Sequence, residues 1–288
     1  MHTLIIGFGD IGHRVAKLEL ALGHSVTALI RDKSKINAAR EFGVETLLAD
    51  LGKPETMAQQ PLEGSRIYYF APPPSTGTHD SRMANWLDSI GISKPAVIIY
   101  ISTTGVYGHC HGEWVDEQRI PNPTADRAKR RLNAEMQLSE WGAQHATPVI
   151  RLRVPGIYHP DRLPMASLQQ GKPILKSSDA PYSNRIHADD LAQICLAAAD
   201  HGKAGEIYNV ADNDSCTMSE YFIKIAGAFN LPRPQEVSWE EAKQQLSPGM
   251  LSYLKESRRI DNKKMLNELN VKLQYPTLDN GLSDINSI

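Results

Sequence analysis

Cysteine is scarce in this 288-residue chain: Cys110, Cys195 and Cys216 are the only three, an odd number set far apart. That excludes a disulfide framework and fits a reducing compartment. Long apolar runs are missing as well. No stretch approaches the ~20 residues that a bilayer-spanning helix needs, and Met1 opens directly on an apolar segment with neither a basic stretch nor a cleavage pattern. An excess of charge is also absent, since 31 Lys+Arg against 33 Asp+Glu leave a net charge of −2. No broad positive field is available for nucleic acid or an anionic membrane, and there are no repeats or low-complexity tracts. These absences leave a globular protein, expected in the cytoplasm, with a small molecule as its expected partner.

What is present begins almost at once. Residues 4–6 read as an apolar strand that turns through Gly7-Phe8-Gly9-Asp10-Ile11-Gly12 into a helix. In this G-x-G-x-x-G pattern Gly7 permits the tight turn, Gly9 removes a Cβ that would block a pyrophosphate, and Gly12 lets helix and strand pack closely. The helix N-terminus offers free N–H groups and positive dipole to phosphate. Alone the motif is a weak signal. Here a helix over 15–22, with Gly23 as its stop, and a second strand over 26–30 complete a β-α-β unit.

The alternation continues. Strands are expected at 44–48, 66–71, 96–101 and 149–154, with helices at 81–90 and 124–144, which implies a doubly wound parallel sheet. Past Gly156 it weakens. Helices are expected at 165–170, 188–199, 218–229, 239–246 and 262–269, with a strand at 206–210. The expected organisation is an α/β Rossmann domain over 1–160, with 185–212 returning to it, and a smaller substrate-side α/β cap over 161–288 at the C-terminal ends of the strands.

Six segments in this order resemble the extended and atypical short-chain dehydrogenase/reductases, the epimerase/dehydratase-like group, over nearly the whole chain. They are residues 7–12, Ala49-Asp50, Phe70-Ala71-Pro72-Pro73, residues 102–108, residues 151–158, and residues 184–192 from Asn184 through His187 to Ala192. The resemblance implies that Asp50 approaches the adenine, that Ala71 with Pro72 lines the ribose side, and that Thr103 fills the catalytic Ser/Thr slot four residues before Tyr107. Read without it, Asp50 and Thr103 are ordinary capping residues. The resemblance also implies a homodimer through the helices flanking the site, with the monomer left open.

Relatives specific for the unphosphorylated nicotinamide nucleotide carry an acid at the end of the second strand. That slot falls at Ile30, with Arg31 next and Lys33 and Lys35 nearby. A guanidinium there offers paired donors to a 2′-phosphate, so NADP(H) is expected over NAD(H), although Asp32 lies one residue away.

The resemblance also implies a Tyr-x-x-x-Lys pair on the helix after the fifth strand, and the sequence does not supply it. Anchoring on Glu135 puts Arg127 in the tyrosine slot and Arg131 in the lysine slot; anchoring on Lys129 puts Ala125 there. In the first register the two arginines share a face. They cannot exchange protons but can hold an anion, and Arg151, Arg153 and Arg185 are further arginines of which some are expected to face the cleft. Tyr107, Tyr158 and the His109-Cys110-His111 run are weak substitutes, His187 reads as ordering a junction, and no metal is expected. The expected function is an NAD(P)-binding epimerase/dehydratase-like oxidoreductase for a small polar substrate of nucleotide-sugar type, with a non-standard active site. The alternative is a catalytically inactive NAD(P)(H) sensor.

Overall fold

The computed structural model describes residues 1–57 and 62–285. Thirteen strands are distinguished among them: β1 His2–Ile6, β2 Ser25–Ile30, β3 Glu45–Leu48, β4 Arg66–Tyr69, β5 Val97–Thr103, β6 Trp114–Val115, β7 Val149–Val154, β8 Gly156–Tyr158, β9 Ile174–Leu175, β10 Arg185–His187, β11 Ile207–Asn209, β12 Glu236–Val237 and β13 Arg259–Ile260. Seven form one sheet, in the order β11-β7-β5-β4-β1-β2-β3, and every pairing in it is parallel. Chain order reverses between β1 and β4. That opens a crevice at their C-terminal ends, where folds of this kind bind ligands.

Burial on both faces explains the parallel sheet. On one face Ile5, Ala28, Tyr68, Ile99 and Leu152 pack with α1 (Asp10–Ala21), while on the other Leu4, Leu29, Tyr69, Ile98 and Tyr100 pack against Trp86 and Leu138. These neighbours in sequence belong to opposite cores because strand side chains alternate. The helices that follow are α2 Ile36–Glu41, α3 Ser81–Ile90, α4 Asp126–His145, α5 Met165–Gln169, α6 Ala188–His201 and α7 Met218–Ala228. Trp86 sits on α3 and Leu138 on α4; α6 joins α1 through Leu191, Ala192 and Cys195.

Most expected elements form within a residue or two of their expected limits. β5 runs on to Thr103, pairing Ser102 with Arg153 and Thr103 with Val154, so Thr103 ends a core strand. β4 stops at Tyr69, shorter than expected, ahead of three prolines that have no N–H to donate. The short helices α2, Pro248–Leu254 and Leu278–Ile285 carry no long apolar period and were not expected.

A second core lies beyond the strand ends. Leu163, Leu168, Ile174, Phe222, Ile225 and Leu282 pack around α7, whose start is fixed by a capping box between Thr217 and Glu220. Two short pairings, β9 with β12 and β6 with β13, tie the later chain together and back to the loop after β5. Met265, Leu269 and Leu273 pack into the first core of the sheet. No helix among the described residues is long and apolar enough to cross a membrane.

Candidate functional site

The glycine-rich turn forms as its sequence demands. Gly7 has φ +98°, and a Cβ there would lie 2.5 Å from Ala71 N. Turn and β4 end are therefore in backbone contact, possible for glycine alone. At Gly12 a Cβ would lie 2.8 Å from Gly7 O, the close approach of helix to turn. Gly9 meets nothing within 4 Å and, as the N-cap of α1, makes no side-chain cap, which leaves open space in front of free helix N–H groups. Phe8 and Ile11 turn their side chains into the core, so only their backbone can meet a ligand. Asp10 is committed to Arg14, with Nε 2.8 Å away, and to Arg162, with Nε 3.0 Å away. Arg162 thus ties the later half of the chain to the turn.

Around this crevice stand the other expected residues. Asp50 Oδ1 accepts from Gly52 N at 2.9 Å, a local turn that fixes the carboxylate at the β3 exit. Ala71 is buried over Gly7, Pro72 is exposed, and Arg82 Nη1 donates to the Pro72 carbonyl at 2.9 Å. Arg31 follows the last residue of β2 and is exposed. Asp32 accepts from Ser34 N at 3.0 Å and Ser34 Oγ at 2.8 Å. These bonds from Ser34 hold its carboxyl below the usual range.

Next to the crevice lies a cleft of about 660 Å³ lined by Thr103, Arg127 and Arg131 from the sheet side. Thr103 Oγ1 accepts from Gly105 N at 3.1 Å, capping the turn after β5, and still lines the cleft. The basic run of α4 divides: Lys129 pairs with Asp126, Arg130 donates to Gly77 O, and Arg127 and Arg131 reach the cleft. Arg131 Nη1 donates to Ile101 O at 3.0 Å and Tyr100 Oη at 3.3 Å. Arg127 donates to Ser252 Oγ at 3.0 Å and stacks 4.0 Å from the Tyr253 ring. No tyrosine lies on α4.

Tyr107 and Tyr158 are framework residues. Tyr107 Oη donates to Asn209 Oδ1 at 2.7 Å, and Tyr158 Oη to Thr277 O at 3.2 Å. Burial pushes both Tyr100 and Tyr107 up to about 12, so these phenols keep their protons at neutral pH. Arg151 and Arg153, two of the arginines the sequence offers, are structural: Arg151 donates to Gly205 O, and Arg153 is paired with Glu135 at 2.8 Å. Cys110 is buried between its histidines, whose rings meet edge to face with centroids 4.3 Å apart.

His187 caps α6, its Nδ1 accepting from Asp189 N at 3.2 Å. With His159 and Asp189 it brings three ligand atoms within 4.8 Å of one another. Asp189 already pairs with Arg14, and a guanidinium beside a carboxylate opposes a cation there.

Sequence reasoning missed the far wall of the cleft: Arg162, Tyr182, Tyr253, Glu256 and Arg258, joined by the expected Arg185. Arg185 Nη1 donates to Ser183 Oγ at 2.6 Å while its guanidinium lies 4.0 Å from the Tyr221 ring. Behind it, Asp212 is buried with Oδ1 accepting from Asp214 N at 3.1 Å, and burial pushes the carboxyl up to about 8. The folded chain therefore keeps a proton that the unfolded chain releases near pH ~3.9. Stability falls as pH climbs from about 4 to about 8. Asp212→Asn is expected to melt increasingly above the native protein across that range, and a pH-independent difference in calorimetric Tm would refute this.

A seven-stranded parallel sheet, a glycine turn at its switch point and a cleft beside the fifth strand define an α/β protein of the Rossmann kind with an attached cleft. Residues 3–211 match the sequence profile of the NAD dependent epimerase/dehydratase family, and the chain belongs to that family. Protein YeeZ of Escherichia coli K12 is 24% identical over 283 residues, 94% of this chain and 95% of YeeZ. Human dTDP-D-glucose 4,6-dehydratase is 30% identical over 123 residues, covering 40% of this chain and only 35% of that enzyme. Among solved structures, a conserved protein of unknown function from Silicibacter pomeroyi DSS superposes with a TM-score of 0.85 at 28% identity, covering 99% of this chain and 98% of the other. The UDP-glucose 4-epimerase of Thermotoga maritima, solved with UDP-glucose, gives 0.80 at 17% identity, covering 100% and 98%, a likeness of fold.

Proposed function

We propose that the chain is an oxidoreductase of the epimerase/dehydratase kind that uses NADP(H) in preference to NAD(H) and acts on a small anionic polar substrate. The observation that carries the reading is the cleft wall: Arg127, Arg131, Arg162, Arg185 and Arg258 face a single carboxylate, Glu256. Such a lining recognises phosphate or carboxylate through paired donors. The residues of the turn fit a nicotinamide dinucleotide, because Gly9 leaves room that any side chain would fill. Gly7, Gly9 and Gly12 with the Phe8, Asp10 and Ile11 backbone would hold the diphosphate, Asp50 the adenine, and Ala71 and Pro72 the ribose side. Bound there, the nucleotide supplies hydride chemistry. Thr103, Arg127 and Arg131 position the substrate oxygen and its negative charge, and α4 contributes no phenol to move the proton.

The NADP(H) preference is supported by the exposed Arg31 at the strand exit and by the commitment of Asp32 to Ser34. A charge-assisted contact is worth about 1.5–3 kcal/mol. Arg31→Ala is therefore expected to weaken NADPH binding about 10- to 100-fold in calorimetry while leaving NADH within about twofold. Equal or tighter NADH binding by the native protein ends the preference.

A further inference from the structure

A cleft that takes an anion and exchanges a proton needs a group able to change charge near neutral pH, and its walls narrow the choice. Guanidiniums stay charged. The described lining holds no histidine, lysine, cysteine or aspartate, which leaves Glu256 and the phenols of Tyr182, Tyr221 and Tyr253. Tyr221 is buried under Arg185, and that burial holds its phenol above the ordinary value. The rings of Tyr182 and Tyr253 are faced by Arg259 at 4.7 Å and Arg127 at 4.0 Å.

Glu256 differs from all of these. It is 9% exposed, and its Oε2 accepts from Arg258 Nη1 at 2.9 Å. The same Arg258 nitrogen donates to Gly108 O. One charged donor is thus shared between a carboxylate and a carbonyl on the wall of a site built for anions. An anion drawn to Arg258 meets the Glu256 charge at close range, and like charges so near favour protonation of one of them. Resting on the anionic-substrate reading above, we infer that Glu256 is the proton-exchanging group of this cleft, taking up one proton from solvent when an anionic ligand claims Arg258. No other bond changes: the carboxylate becomes a carboxylic acid, and on release of the ligand it returns the proton and recovers Arg258.

Other groups around Glu256 can titrate or carry charge. Arg258 lies on its own segment. From the loop after β5 come Cys110, whose thiol is pushed up by burial with Glu113 and Glu256 adding to it against Arg119 and Arg258, and His109, whose Nδ1 accepts from Ser257 N at 3.1 Å, with the His111 ring edge-on to it. Across the cleft stand Arg127 and Arg131, and along the same wall Arg162, Arg185, Tyr182, Tyr221 and Tyr253. Of these, His109 is the side chain that the test must separate from Glu256.

The test titrates sodium sulfate, a dianion throughout, into the protein saturated with whichever of NADH or NADPH binds more tightly, so that the glycine turn is filled. Binding is followed between about pH 6 and about pH 8 in the native protein, Glu256→Gln and His109→Asn. Native affinity is expected to rise up to about tenfold for each pH unit of acidification, as uptake of one proton requires. Glu256→Gln, which keeps an acceptor for Arg258 without a charge, is expected to bind more tightly at pH ~8 and to lose the pH dependence, while His109→Asn keeps it. An unchanged pH slope in Glu256→Gln, or a slope lost in His109→Asn instead, overturns the assignment but leaves the anion cleft standing. Sulfate bound by neither the native protein nor Glu256→Gln at any pH overturns the anion-cleft reading itself and this inference with it.

Discussion

Gly7→Ala is expected to lose nucleotide binding and to destabilise the fold by about 2–5 kcal/mol. Two effects combine. The residue sits at φ +98°, a region costing about 1–2 kcal/mol for a residue with a Cβ, and the added carbon would lie 2.5 Å from Ala71 N and 2.8 Å from Phe70 C. These are backbone atoms on β4 and its exit, fixed in turn by Phe70 N donating to Ile6 O at 2.7 Å. Neither partner can rotate away as a side chain would, so turn and strand end must part, at about 1–3 kcal/mol for such overpacking. Chemical denaturation measures the loss, and calorimetry with the nicotinamide nucleotides measures the binding. Gly9→Ala separates the two effects: its Cβ meets no protein atom within 4 Å, so it is expected to melt close to the native protein yet bind nucleotide less tightly. Unimpaired binding by Gly9→Ala would remove the diphosphate from this turn.

Breaking the ion pair behind the cleft has the second large effect. Glu135 and Arg153 meet at 2.8 Å with side chains 2% and 3% exposed; Ser102 Oγ also donates to Glu135, and Arg153 lies 4.7 Å from the Tyr107 ring. Removing one partner leaves a charge stranded in low dielectric, which costs about 3–5 kcal/mol. Arg153→Met alone is expected to lose that much in urea denaturation. Pairing it with Glu135→Leu should restore most of the loss, because neither charge then remains buried. A double variant as unstable as Arg153→Met would show that the pair contributes through its hydrogen bonds rather than by mutual neutralisation. Since β5 and α4 carry Thr103, Arg127 and Arg131, the same variants report how far the cleft depends on this brace.

The two networks differ in how visible they are in sequence. Gly7, Gly9 and Gly12 announce themselves because their spacing is set within one turn, and the structure gives Gly7 and Gly12 the close backbone approaches expected of them. Arg127 and Arg131 were placed on a common face by helical period, and both line the cleft. Arg130, between them, was indistinguishable from a solvated charge by any local rule, yet it reaches Gly77 O. Arg151 and Arg153 looked equally suited to a ligand as Arg185. Of these three only Arg185 lines the cleft, because Arg151 and Arg153, two apart on β7, share one face of the sheet and are taken there by Gly205 O and by Glu135 of α4, whereas Arg185 opens β10 beside Ser183 and Tyr221 of the cap.

Sequence by itself determined the parallel sheet, the glycine-rich turn and the lack of a phenol on α4, since each follows from periodicity, glycine spacing or residue identity over short stretches. Tertiary structure alone decided who stands opposite. Glu256 and Arg258 lie more than a hundred residues beyond Arg127, on a segment with no motif and little periodicity, and reach the cleft because β13 pairs with β6 and carries them there. Distances between side chains on separate segments are fixed by packing, and no local pattern of residues encodes them.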